Sequence, residues 1–209
     1  MSSIHESMAK MKLLQEMKTF YKAIDIEATN SAEKIMNTEL NFFGKDYAHF
    51  KPILVNRCSV LAEIPLLKFD EINNISNSPH KRRVTKINEI KKTSILTLAE
   101  NSLKLSRLSC ENEDHNLAYK HLVTLKHVGN QCKNQQQNLL LDEKTWQIID
   151  DKVEYEQSML YWSWGEKEMA KMQLKHLIKK ITNYETESEL LPEALRVMGS
   201  WLWTLRSEG

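Results

Sequence analysis

Apolar residues recur every three or four positions over most of this chain. In the first segment the spacing predicts one helix of about twenty residues, with the stripe Ile4, Met8, Met11, Leu14, Met17, Tyr21 and Ile24. A second helix is expected between a cap at Asn30 and Ser31 and a stop at Gly44. A third is expected to carry Pro52 in its first turn and to end or kink at Pro65, because proline lacks a backbone donor.

A polar run at residues 73–79 separates this part from a more regular one. Beyond it the apolar spacing predicts five helices, at about residues 94–108, 117–128, 142–164, 169–181 and from Pro192 onward. Tight turns are expected at 111–114 and at Gly165, and looser links at 130–141 and 183–189. Short links make consecutive helices pack antiparallel.

Each predicted helix is amphipathic and cannot bury its apolar stripe alone. Hairpins stacked in series would bury one continuous seam, as in an α-solenoid of tetratricopeptide- or HEAT-like repeats. A compact bundle would satisfy the same stripes, but the alternation of tight and loose turns favours stacked antiparallel hairpins. The predicted organisation is N-terminal helical hairpins at 1–78, a basic loop and helix start at 79–93, and helical repeats at 94–209.

The composition favours an all-α fold. Only 5 glycines and 4 prolines occur in 209 residues, about a third of average usage, and an all-β fold needs more turn residues than that. Apolar residues make up 41% and charged residues 27%, as in a globular protein rather than a disordered one. The 29 basic and 28 acidic side chains nearly cancel, so the net charge gives no case for nucleic acid or an anionic membrane.

Cysteine usage and the absence of long apolar runs indicate an intracellular protein. The three cysteines, Cys58, Cys110 and Cys132, cannot pair completely, so free thiols in a reducing compartment are expected. Charged residues interrupt positions 1–25, which argues against a signal peptide. No apolar run approaches the roughly 20 residues of a membrane-spanning helix.

A basic run lies between the two parts of the chain. Residues 81–92 hold six basic side chains and one acid, Glu89. They could form a localisation signal or a phosphate-contacting patch, or the solvated face of a helix. No aromatic residue is interleaved for base stacking, so direct nucleic-acid binding is not expected. The residues of this candidate patch are Lys81, Arg82, Arg83 and Lys86.

Candidate metal ligands and carboxylates do not form a recognisable chemical site. Five possible ligands, separated by five or six positions, are Cys110, His115, His121, His127 and Cys132. A step of six turns a helical side chain by roughly 240°, so these groups diverge and no metal is expected. The carboxylates interpreted as the solvated face of their helix are Asp150, Asp151, Glu154 and Glu156. With no nucleophile elbow and no phosphate-binding loop, neither enzymatic activity nor a cofactor is expected.

All five tryptophans lie in the last third of the chain, at positions 146, 162, 164, 201 and 203. Trp162 and Trp164 are two positions apart, as are Trp201 and Trp203, so the members of a pair do not share a helix face. One of each pair is expected to enter the seam between helices. The other is expected to meet a flanking hairpin, a partner or water.

Residues 158–181, SMLYWSWGEKEMAKMQLKHLIKKI, resemble a hairpin that recurs in the FAT region of the phosphatidylinositol-3-kinase-related protein kinases. In that hairpin an aromatic helix ends in a Trp-containing turn, Gly-Glu follows, and the next helix reads A-x-x-x-L-K-x-x-I. The matching residues here are Trp162, Trp164, Gly165, Glu166, Ala170, Leu174, Lys175 and Ile178. The segment EALRVMGSWL at 193–202 is similar to the next helix in the ataxia-telangiectasia-mutated (ATM) branch, and it contains Gly199, Trp201 and Leu202.

The resemblance implies an α-solenoid segment that wraps and regulates a serine/threonine kinase domain in DNA-damage signalling and telomere maintenance, in the nucleus. The Gly-Asp-Arg-His and Asp-Phe-Gly motifs of such a kinase domain do not occur in this sequence. The resemblance therefore implies a non-catalytic fragment, whose partners are the rest of its own kinase chain and other proteins of the DNA-damage response.

An alternative function is a stand-alone helical-repeat adaptor for protein–protein interactions. An independent solenoid needs polar capping helices, whereas a fragment leaves apolar faces bare. The final segment is predicted to be apolar on more than one face, which favours the hypothesis that the chain is a fragment. The apolar residues concerned are Trp201, Leu202, Trp203 and Leu205.

Overall fold

The computed structural model describes residues 47–66, 78–134, 141–184 and 188–208. Within them lie α1 Tyr47–Glu63, α2 Ser78–Glu111, α3 His115–Asn134, α4 Glu143–Ser163, α5 Lys167–Thr182 and α6 Leu191–Glu208. A 3-10 turn at Ile64–Leu66 follows α1, and the described ranges contain no strand. The all-α class is thereby confirmed. The helices predicted at 4–24 and 31–44 fall outside the described residues.

The first described helix differs from its prediction at the start and agrees with it at the end. α1 begins at Tyr47, so Pro52 lies inside the helix rather than in its first turn. This end of α1 is anchored by tertiary contacts that the pattern could not reveal: Lys51 pairs with Asp114 at 2.5 Å, and the Tyr47 hydroxyl bonds to Ser109 at 3.0 Å. The helix ends directly before the 3-10 turn that contains Pro65, as predicted.

The second described helix begins much earlier than the pattern predicts. α2 runs from Ser78 to Glu111, so residues 79–93, predicted as a basic loop and helix start, are entirely helical. Pro79 is compatible with a helical first turn because the missing donor has no intrahelical partner there. Lysine and arginine are good helix formers. The basic run therefore belongs to a helix, and Val84, Ile87 and Ile90 recur within it every three positions.

Most remaining boundaries lie close to the predicted ones, but α3 continues to Asn134, into the link predicted from residue 130. Asp142 caps α4 by accepting a hydrogen bond from the backbone N–H of Thr145 at 3.3 Å. The turn between α2 and α3 contains Glu113 at a positive φ of 60°. α5 and α6 begin within two residues of the predicted positions at Met169 and Pro192.

The helices pack around two apolar clusters that share α4. α2 contacts α1, α3 and α4, whereas α5 contacts both α4 and α6. Val153 and Leu160 of α4 belong to the cluster formed with α1–α3. Tyr155 of the same helix belongs to the cluster formed with α5 and α6. In the described ranges, every helix is too short or too polar to span a lipid bilayer.

Candidate functional site

The hairpin singled out by the sequence forms a tight turn between α4 and α5. Gly165 adopts a φ of 88°, a left-handed conformation that glycine reaches without steric cost. The Gly165 N–H donates to the Trp162 carbonyl at 3.1 Å, and the Glu166 N–H donates to the Tyr161 carbonyl at 2.9 Å. These two bonds are those of a Schellman cap, which satisfies the last carbonyls of a helix.

Three apolar residues of the hairpin motif join α4, α5 and α6. Ala170 and Leu174 of α5 are fully buried, and Ile178 packs against the same cluster. Trp162 stacks on Trp201 with ring centroids 4.4 Å apart and planes at 3°. The two segments that carry the family resemblance are therefore in direct contact. Glu166 is exposed and makes no capping bond through its side chain.

The second tryptophan of each pair is on the surface, as the two-residue spacing predicts. Trp164 is 45% exposed and lies beside α3, with its ring 6.0 Å from His115 and 6.4 Å from Tyr119. Trp203 is 74% exposed. Trp164 thus meets a flanking helix, while Trp203 presents most of its ring to solvent.

Helix α6 has a second apolar face, which we name the outer α6 face. It consists of Leu195, Gly199, Leu202 and Trp203, all exposed. At about 100° per residue, these positions lie opposite the buried Ala194, Val197 and Trp201. A Cβ added at Gly199 would meet no atom of the described residues within 4 Å. The outer α6 face is therefore open and has a shallow centre that another helix backbone could approach closely.

The predicted basic patch lies on the first turns of α2. Lys81, Arg82, Arg83 and Lys86 all have a helical backbone, and their side chains lie outside the described part of the chain.

Two carboxylates predicted to be solvated are buried instead. Asp151 accepts hydrogen bonds from the Tyr184 hydroxyl at 3.0 Å and pairs with Lys180 at 3.0 Å. Glu156 is 4% exposed at its side chain and pairs with Arg107 at 2.5 Å. Their partners lie on α2, on α5 and after α5, so this part of α4 faces other helices rather than water. The prediction of a fully solvated face was wrong for these two residues.

The environment of these groups shifts their pKa values in directions that follow from burial and pairing. Burial raises the pKa of the Glu156 carboxyl, and Arg107 opposes the rise. Burial disfavours the charged form of Lys180, but Asp151 and Glu154 more than offset it, so the Lys180 pKa is raised. Burial and Glu193 raise the pKa of the Tyr155 hydroxyl to about 12. These shifts belong to structural pairs that hold helices together.

The possible metal ligands are spread over several environments. His121 and Cys132 are buried, His127 is exposed, and Cys110 and His115 are half-buried. Among the described residues, no three histidine, cysteine or acidic side chains are close enough to hold a metal ion. Burial raises the pKa of the thiols of Cys58, to about 11, and of Cys110 and Cys132. These thiols are therefore protonated and weakly nucleophilic at neutral pH.

A cleft of about 960 Å³ lies between the start of α4 and the segment that precedes α6. Asp142, Gln147, Ile148, Asp151 and Tyr184 are among its lining residues. Asp151 is already bonded to the Tyr184 hydroxyl.

Comparison with known proteins yields no relative for this chain. No protein-family model, no curated protein and no solved structure matches it. Function is therefore inferred from the residues and their geometry.

Proposed function

We propose that this chain is a non-catalytic helical scaffold, of the kind found in the FAT region of ATM-like protein kinases. The hairpin motif supports the proposal because Trp162, Gly165, Ala170 and Leu174 all serve the packing of α4, α5 and α6. The order in which the helices contact one another, α3 with α4, α4 with α5 and α5 with α6, suits hairpins stacked in series.

The observation that carries the proposal is the outer α6 face. A helix with apolar residues on opposite sides can bury only one side against α5, and the other is suited to a further helix. In a stacked array that helix would be the next element of the array. Trp203 is the type of residue that dominates protein–protein contacts, and it is 74% exposed here.

The proposed mechanism is mechanical. A stiff array of helices fixes the position of the elements bound at its end, and so biases the conformation of a kinase domain that it contacts. In this proposal the parent protein is a nuclear serine/threonine kinase acting in DNA-damage signalling and telomere maintenance. This chain supplies no catalytic residue to it.

Self-association of the purified chain tests the role of the outer α6 face. Without a further helix on that face, we expect the weight-average mass to rise with concentration over about 5–200 µM. Combining Leu202→Gln with Trp203→Gln should weaken association at least about fivefold, because apolar burial drives it. Ile148→Gln, also at an exposed apolar residue, is the control and should leave it unchanged. Sedimentation velocity measures all three proteins.

Either of two outcomes would contradict the scaffold proposal. One is equal association of the double variant and the unmodified chain. The other is ATP-dependent phosphorylation that copurifies with the chain and is blocked by ATP-site inhibitors.

A stand-alone adaptor is the second candidate function. The exposed Tyr119 and Trp164, whose rings lie 6.4 Å apart, favour it because they form a contact surface distant in sequence from the end of α6. A chain that stays monomeric over the whole concentration range would favour the adaptor over the scaffold.

A further inference from the structure

Helices α3 and α5 lie on the same side of α4. The side-chain carbonyl of Gln157 on α4 accepts a hydrogen bond from Lys126 Nζ of α3 at 2.7 Å and another from Gln173 Nε2 of α5 at 3.2 Å. Because both donors bond to one oxygen, α3 and α5 are neighbouring helices on either side of Gln157. The turn residue Trp164 connects them at one end through its contact with Tyr119.

Helices α3 and α5 carry more basic than acidic side chains, an excess that the net charge of the whole chain does not show. α3 contains three lysines and no acidic residue. α5 contains five lysines and one acid, Glu168, which pairs with Lys171 at 2.7 Å. On α4 between them, Asp151 and Glu154 are held by Lys180. Lys133 of α3 likewise pairs with Asp150 of α4 at 2.6 Å. Positive charge is left at the exposed Lys120 and Lys179, and the near-neutral sum over the sequence does not show it.

Exposed apolar side chains lie among these lysines. Met172 is 63% exposed and, at about 100° per residue, lies on the side of α5 opposite the buried Ala170 and Leu177. Packing within the described part does not require a methionine there. We name the whole surface the basic methionine face; its residues are Tyr119, Lys120, Val123, Lys126, Trp164, Met169, Met172 and Lys179.

We propose that the basic methionine face binds an acidic amphipathic helix of a partner protein. The lysines attract and orient a negatively charged segment, and methionines adapt their shape to varied apolar side chains. Binding of an amphipathic helix to an apolar surface is a common mode of peptide recognition. This function is separate from that of the outer α6 face, which lies on another helix.

The residue types favour an acidic protein segment over a phosphate-bearing ligand. Neither α3 nor α5 contains an arginine, the side chain whose planar fork pairs with phosphate through two bonds. Five large apolar side chains are exposed on the face, namely Tyr119, Val123, Trp164, Met169 and Met172. Such side chains gain most from burial against other apolar groups.

A peptide-binding experiment on the full chain tests this proposal. The probe is a labelled 16-residue synthetic helix with leucine every three or four positions and glutamate beside them, and its control replaces glutamate with glutamine. Fluorescence anisotropy should give a dissociation constant on the order of 10 µM at low salt for the glutamate peptide. Affinity for the glutamine peptide should be about tenfold lower, and added salt should reduce the difference.

Variants then locate the site. Combining Lys120→Glu with Lys179→Glu should weaken binding of the glutamate peptide at least about tenfold, and Met172→Gln should weaken it about threefold. The matched control combines Lys144→Glu with Lys152→Glu, which reverses two exposed lysines that line the cleft on α4. The control should bind as the unmodified chain does, and all variants should keep its helical circular dichroism.

Several results would overturn the proposal. These are no detectable peptide binding, equal binding of the two peptides, and equal loss in the control variant. A fourth is tighter binding of single-stranded DNA, or of vesicles of phosphatidylcholine and phosphatidylserine, with the same dependence on Lys120 and Lys179. Because Leu202→Gln and Trp203→Gln should leave peptide affinity unchanged, failure here is distinguishable from failure of the scaffold proposal.

Discussion

At the scale of single residues, buried polar groups define how α4 fits among its neighbours. Glu156 is held by Arg107 of α2 and Asp151 by Tyr184 and Lys180. Partnered charges of this kind add little net stability, but an unpaired one in the same place is costly. They therefore favour one arrangement of helices over alternatives that bury the same apolar area.

His121 should make the stability of the fold depend on pH. It is 4% exposed, and neither ring nitrogen has a hydrogen-bond partner among the described residues. Burial, together with the nearby Lys120, lowers its pKa below the ordinary value of 6.5. The unfolded chain therefore binds a proton more readily than the folded chain, so stability falls as pH drops below about 6.5, by at most roughly 1.4 kcal/mol per pH unit.

Urea denaturation at about pH 7.5 and pH 5.5 measures this effect. His121→Leu should remove this part of the pH dependence, whereas His127→Leu, at an exposed histidine on the same helix, should retain it. An unchanged pH dependence in His121→Leu would contradict the assignment.

At the scale of secondary-structure elements, the turn between α4 and α5 depends on one left-handed residue. Gly165 has a φ of 88°, and a side chain there costs about 1 kcal/mol through contact of Cβ with the backbone. We expect Gly165→Ala to lower the free energy of unfolding by about that amount, as measured by chemical denaturation.

Gly199 provides the matched control for this prediction. It lies inside α6, and an added Cβ would meet nothing within 4 Å in the part of the chain that the structure describes. Gly199→Ala should therefore raise the free energy of unfolding by roughly 0.5–1 kcal/mol, because alanine loses less backbone entropy in a helix. If both substitutions changed the free energy of unfolding equally, the left-handed conformation at Gly165 would not be the cause of the loss of stability.

At the scale of the whole molecule, α4 separates two apolar clusters that should open separately. Leu174 is fully buried in the cluster with α5 and α6, and Leu122 is fully buried in the cluster with α1–α3. Each Leu→Ala substitution should cost about 3 kcal/mol, from lost burial and the cavity left behind. Hydrogen exchange should accelerate mainly in α5 and α6 for Leu174→Ala, and mainly in α2 and α3 for Leu122→Ala. If hydrogen exchange accelerated equally in all helices of both variants, the two apolar clusters would not open separately.

The features predicted well are those with local causes. Gly165 ends α4 because the required backbone conformation suits glycine, and Pro65 follows α1 because it cannot continue the helix. The different exposure of Trp162 and Trp164 follows from helix geometry alone. The start of α2 at Ser78 was missed because it lies inside the polar run 73–79, and dense basic charge surrounds the apolar Val84, Ile87 and Ile90 that follow.

The candidate sites were predicted less completely because they depend on contacts between distant segments. The burial of Glu156 requires Arg107, 49 positions earlier in the chain. The basic methionine face requires α3 and α5 to meet across Gln157. A count of charges over the whole sequence conceals it, because acidic and basic side chains cancel in the sum wherever they lie in the fold. The apolar second face of α6 was visible in the sequence, but its exposure was not.

The sequence by itself determined that this protein is helical and where most turns fall, because capping, glycine turns and apolar spacing act over a few residues. Only the tertiary structure decided which charges are buried, which apolar faces remain open and where positive charge accumulates. Those properties depend on which helices become neighbours, and that choice is made by packing among segments far apart in the chain.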